Sequence, residues 1–119
     1  MAQCYKHGLV VSKPFSDNAP YDFITGSGKI LKRVQVKSTA FLDEKRNAYS
    51  VVAGKGSRSK TPYSSEDVDI IAIHIVPLDV WYIIPVDVLD GHVKVHISPH
   101  RKGEGRFEYY LDAWRFLEK

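Results

Sequence analysis

Three side chains that could do chemistry together lie in one stretch, Tyr21–Thr39, which reads YDFITGSGKILKRVQVKST. They are Asp22, Gln35 and Lys37. A carboxylate and a side-chain amide oxygen are hard donors of the kind a small divalent cation prefers. Gln35 and Lys37 alternate with Val34 and Val36, so along an extended strand the valines face one side and Arg33, Gln35 and Lys37 the other.

Whether these groups meet Asp22 depends on the turn. With GSGK, or Ser27-Gly28 alone, as the loop, Thr25 pairs with Ile30 and Asp22 falls opposite Arg33. Directly opposed residues share a face of the sheet, so Asp22 joins Arg33, Gln35 and Lys37, with Gln35 on the diagonal about 7–8 Å away. One metal ion can be held across that gap. A bulge at Gly26 or Gly28 would reverse the parity. The same alternation also describes a hairpin that faces solvent, its lysines guarding an edge against aggregation. Alternation by itself leaves both readings open.

The elements around the hairpin are short. MAQCYKHG reads as the end of a helix closed by Gly8, LVVS as a strand, and KPFSDNAP as a loop. YDFIT and ILKRVQVKS are the hairpin strands, and AYSVVA is another strand. GKGSRSKTPYSSED has the composition of a basic loop. VDIIAIHIV is almost wholly apolar and β-branched, as in a central strand covered on both faces, and VWYIIP returns beside it. VDVLDG predicts one helical turn, and HVKVHIS alternates as a half-exposed strand. RFEYYLDAWRFLEK sets Phe107, Tyr110, Leu111, Trp114 and Leu117 on one helical stripe. The pattern predicts an α/β fold, a mostly antiparallel sheet with helices at both chain ends.

The 119 residues are 44% hydrophobic and 26% charged, which suits one globular domain. The single Cys4 forms no internal disulfide, and no apolar run approaches the ~18 residues of a membrane span. With no secretory signal evident, the expectation is a cytoplasmic protein without a membrane partner. Formal charge is only +3. Its distribution is uneven: from Lys29 to Lys60 the cations include Lys32, Arg33, Lys37, Lys45, Arg46, Lys55 and Arg58, against Asp43 and Glu44. That excess suits a phosphate-rich partner, and equally a solvated face.

The ordered set YD, glycine hairpin, VQVKS, DVDIIA, WYIIP resembles the PD-(D/E)XK nucleases, in the variant where glutamine replaces the second acid. It is most similar to the group I intron homing-endonuclease-like branch, itself similar here to Holliday-junction resolvases. The resemblance runs from Pro14 into YYLDAWRFL. It implies a restriction-endonuclease-like α/β fold, a mixed, mostly antiparallel central sheet flanked by helices, as a single domain over 1–119. It also implies a metal-dependent DNA endonuclease that hydrolyses phosphodiester bonds. Asp22 would bind Mg²⁺ (Mn²⁺ substituting), Gln35 would offer a neutral oxygen or hold a water, and the Val36 carbonyl would complete the site. Lys37 would lie against the attacking water and the scissile phosphate. Arg33, Lys55, Arg58 and Lys60 would contact the DNA backbone. One small domain cuts one strand, so a homodimer or homotetramer is expected.

Relatives of this kind open with a longer helix that carries a glutamate to the metal. Here no acid precedes Asp17, and Gln3 is the nearest substitute, so the N-terminal helix is shortened and a catalytically inactive nucleic-acid-binding or assembly module with the same fold is the alternative. Asp69 reads either as a group supporting the site or as a plain strand-start acid, and Asp67 as a turn residue. GSGK and GKGSRSK miss the P-loop spacing. On a strand His92 and His96 lie about 13 Å apart, too far for one metal. His74 reads as a core histidine, and Trp81 and Tyr82 as packing residues.

Overall fold

In IIAIHI, Ile70–Ile75, only His74 is polar, so this strand is stable only with apolar cover on both sides. The computed structural model, which describes residues 2–6, 8–12, 21–26, 30–55, 61–89, 91–99 and 106–118, supplies that cover. Its strands are β1 (Val10–Ser12), β2 (Phe23–Gly26), β3 (Leu31–Thr39), β4 (Leu42–Asp43), β5 (Ala48–Val52), β6 (Gly54–Lys55), β7 (Thr61–Pro62), β8 (Ile70–Ile75), β9 (Val80–Pro85) and β10 (Lys94–Ile97). Five of them form the central sheet β1-β2-β3-β8-β9. Its pairs are antiparallel except β3–β8, which is parallel. A second, antiparallel sheet has the order β10-β5-β4, and β6 and β7 form a ribbon.

Parallel strands need a long crossover, most often a helix. Between β3 and β8 the crossover is instead β4 to β7, so part of the second sheet is built from the connection itself. Alternation then makes two cores. Ile71, Ile73, Ile75, Tyr82 and Ile84 pack against Val51, Val95 and Ile97 of the second sheet. Phe23, Val34, Ile70, Ala72 and Ile83 pack on the other side against Cys4, Leu9, Trp114 and Leu117 from the chain ends.

The flanking helices are shorter than expected. α1 (Ala2–Lys6) has five residues, and Gly8 follows it at φ 72, the left-handed closure that glycine permits. α2 (Arg115–Glu118) has four. The stripe from Phe107 to Leu117 is not one helix. A 3-10 turn at Glu108–Tyr110 gives way to a bridge from Leu111 to Tyr82, and Asp112 stands at φ 50 with its N–H donating to the Trp81 carbonyl at 2.7 Å. A right-handed helix does not run through positive φ. Phe107 enters one core while Trp114 and Leu117 enter the other. The segment wraps the edge at β9, which a straight helix could not do. No described helix is long and apolar enough to cross a membrane.

Gly26 pairs with Leu31 at the tip of the β2–β3 hairpin. A Cβ there would overlap the backbone carbonyl of Ile30. Gly26→Ala should therefore destabilise the protein by about 1–3 kcal/mol, seen as a lower urea midpoint with an unchanged m-value.

Candidate functional site

The hairpin register differs from expectation by two residues. Thr25 pairs with Lys32, not Ile30, and the last pair is Phe23 with Val34. The reason is side-chain matching. Phe23 and Val34 are both buried, whereas the expected register would set Phe23 across from Lys32. Ile30 and Leu31, exposed, belong to the turn end of the hairpin; Ser27, Gly28 and Lys29 lie outside the described residues. A shift of two preserves parity. Continued past Phe23, this register sets Asp22 against Gln35 rather than Arg33.

Asp22 lies just beyond β2. Its N–H donates to the Val34 carbonyl at 2.8 Å, and its carboxylate Oδ2 accepts the Val36 N–H at 2.8 Å. The carboxylate thus takes over at the point where β2 stops pairing with β3. In a strand the N–H and C=O of one residue project to the same side, so the Val36 carbonyl also points toward Asp22. Asp22 and the Val36 backbone converge on one edge.

Gln35 and Lys37 lie beside Ile71 and Ile73 of β8, on the face covered by the second sheet. Both are half-buried. The Lys37 ammonium sits over the Tyr63 ring, 5.7 Å from its centroid. Tyr63 is buried, and its phenol is pushed up, first by that burial and then by the negative charges of Asp22 and Asp67. The ring thus feels the Asp22 charge while it carries the Lys37 ammonium on its face. Sequence reasoning missed Tyr63: it stands in the turn-like TPYSSED, where no periodic pattern marks a buried aromatic residue.

The remaining polar residues brace this arrangement. Asp69 opens β8: its Oδ2 accepts the Arg33 N–H at 2.8 Å, and its own N–H donates to the Arg33 carbonyl. The Arg33 guanidinium adds Nε to Asp69 at 3.2 Å and reaches the carbonyls of Glu66 and Ser65. Burial works to raise the Asp69 pKa, but the Arg33 hydrogen bonds and charge outweigh it and hold the carboxyl below its ordinary value. Asp67 accepts Lys55 Nζ at 2.7 Å and the Ser64 N–H at 3.1 Å, and these bonds likewise lower its pKa. Arg33 and Lys55 each already face an internal anion, while Arg58 and Lys60 lie outside the described residues.

The histidines behave differently. His74 stacks on Trp81, 4.4 Å between rings, and its Nε2 lies 2.9 Å from Asp79. His96 Nδ1 lies 2.9 Å from the Ser50 hydroxyl. Among the described residues, no three His, Cys, Asp or Glu side chains gather into a metal-binding group. Gln3 lines a small cavity with Val34 and Val36 on the face opposite Gln35 and Lys37.

A family model for PD-(D/E)XK endonucleases matches residues 1–117. The chain belongs to the PD-(D/E)XK endonuclease family. Its fold is similar to the structure of a bacterial homing endonuclease, I-Ssp6803I, with a TM-score of 0.81 and 29% identity over 98% of this chain and 83% of that one. No curated protein sequence matches.

PD-(D/E)XK nucleases generally use divalent metal ions. The donors present fit such an ion: one carboxylate anchored on a backbone N–H of β3, one β3 backbone carbonyl at the same edge, and the neutral amide of the adjacent β3 residue. All are hard oxygen donors, with little negative charge among them. Such a set suits a weakly held hard cation and is a poor match for zinc.

The brace at Asp69 makes a prediction about acid. Its folded pKa lies below the unfolded value of about 3.9, so its contribution is complete above about pH 4 and is lost as pH falls through the folded value. Asp69→Asn should cost about 1–2 kcal/mol at pH 7, the low end for a charged hydrogen bond because the pair is about a third exposed. Urea titrations should show the gap to wild type closing as the pH is lowered below about 4.

Proposed function

We propose that this PD-(D/E)XK chain is a metal-dependent DNA endonuclease that hydrolyses phosphodiester bonds in the cytoplasm, with Asp22, Gln35 and Lys37 as its reactive groups. The observation that carries the reading is the Asp22 carboxylate seated on the Val36 N–H, on the face that the continued hairpin register gives to Gln35 and Lys37. Asp22, the Gln35 amide oxygen and the Val36 carbonyl would hold Mg²⁺, or Mn²⁺ in its place. When bound, that ion would supply water activation and support for the leaving oxygen.

The protein's own groups do the rest. Lys37 projects from β3 where that strand is paired with β8, so its ammonium would meet the charge that grows on the phosphate from a fixed backbone. The Tyr63 ring beneath it limits the directions it can take. Asp22 is oriented by its backbone hydrogen bond rather than by another side chain. Backbone phosphates would meet Arg58 and Lys60, and Arg33 and Lys55 through whatever donors their internal pairs leave. Cleavage of both strands would call for two copies of the site, hence a homodimer or homotetramer.

A second reading, an inactive nucleic-acid-binding module, is favoured by one observation: α1 packs on the face away from Gln35 and Lys37, and the described part of it bears no acid. A nicking assay on supercoiled, branched and flapped DNA with Mg²⁺ or Mn²⁺ separates the two. Wild type should nick, and Lys37→Ala should lose about 10²–10³-fold in rate while DNA affinity falls less than about tenfold. Equal inertness of both proteins across metals and substrates would establish the module instead.

Gln35 also makes the metal affinity predictable. Isothermal titration should show weak Mg²⁺ binding without DNA, and Gln35→Glu should tighten it by about tenfold, equivalent to about 1.4 kcal/mol.

A further inference from the structure

Alternation along HVKVHIS turns His92, Lys94 and His96 to one side, while Val95 and Ile97 enter the core. β10 is the outer strand of its sheet. Along it runs a groove of about 380 Å³, rimmed by His92, Lys94, His96 and Arg106. Its floor is apolar, formed by Leu89, Val95 and Phe107. No Asp or Glu is among its described lining residues.

Two of the rim groups are fixed in place. Arg106 lies over the Phe107 ring at 5.0 Å and donates to the Val88 carbonyl. His96 is held beside Ser50. Lys94 is exposed opposite Val52. One held and one exposed cation over an apolar floor, with no carboxylate among the described lining residues, match a phosphodiester backbone: anionic oxygens on the rim, sugar below.

A second depression has lining residues that neighbour both the groove and the candidate active site. It is lined by Pro62, Tyr63, Ser64, Asp87 and Gly91. Tyr63 lies under Lys37, and Gly91 precedes His92 in the chain. The short turn Val86–Leu89 contributes to both depressions.

We infer that the β10 groove binds the phosphate backbone of the DNA flank beside the scissile bond, with the fixed Arg106 and the exposed Lys94 as its cations. The inference rests on the endonuclease reading above, and it adds a contact surface that shares no residue with Asp22, Gln35 and Lys37. Contacts of this kind hold the duplex in register and read no sequence.

Fluorescence anisotropy on a labelled duplex, from about 50 to 300 mM salt, tests it. Lys94→Gln/Arg106→Gln should bind about 5–20-fold more weakly, with the slope of log affinity against log salt shallower by about 1–2. Lys45→Gln, on the exposed turn between β4 and β5, should match wild type. If the double variant lowers the urea midpoint, Lys94→Glu alone serves, since Lys94 is exposed on the strand. Unchanged affinity and slope in the groove variants would overturn the groove and leave the endonuclease reading standing. An equal loss in Lys45→Gln would also overturn it, leaving only general charge attraction. A wild-type protein that binds no DNA would overturn both.

Discussion

Val34 is the point to which the candidate site is referenced. Fully buried, it is paired with Phe23 on one side and Ile70 on the other. Once Val34 is committed to that core, the two-residue period of a strand leaves Gln35 no choice of face, and Lys37 follows. Because β3 is antiparallel to β2 and parallel to β8, the same residue also sets the register of both neighbours. A slip by one would drive Lys37 into the apolar layer with Trp114 and turn Val34 onto the polar face of the candidate site. The packing cost of that error protects the chemistry.

This dependence explains what could be read in advance. The face shared by Asp22, Gln35 and Lys37 depends only on parity, so it survived a register two residues away from the expected one. The exact partner did not, because it turned on whether Phe23 would rather meet Lys32 or Val34. Asp69 as a strand-start acid and Asp67 as a turn residue were legible from local pattern. The C-terminal stripe was not. Helical spacing records that Phe107, Trp114 and Leu117 are buried, but not that they are buried on opposite sides of one sheet. Tyr63 was equally hidden, since its burial comes from chain elements far away in sequence.

The acids divide by task. Asp67 and Asp69 have depressed pKa values because Lys55, Ser64 and Arg33 satisfy them, and they tie the ribbon, the turn and the start of β8 together. Among the described residues Asp22 forms no ion pair; its carboxylate bonds to a backbone N–H. A carboxylate neutralised by arginine would repel no second anion and attract no second cation. One held by an amide keeps its charge for something else.

That remaining charge is small, and its smallness has a consequence. With glutamine where a second acid would stand, the oxygen donors at this edge carry a single negative charge, and Lys37 opposes part of it. A divalent cation then gains little by entering alone. A phosphodiester arriving at the same place brings the missing anionic oxygen. By reciprocity, whatever the phosphate adds to cation affinity, the cation must add to phosphate affinity. In the proposed endonuclease, site assembly would thereby be coupled to the substrate, and the free protein would keep a loosely metallated, catalytically quiet edge. On the proposed function, the amide at Gln35 would therefore act as a condition on when the site is complete, set by charge balance rather than by any moving part.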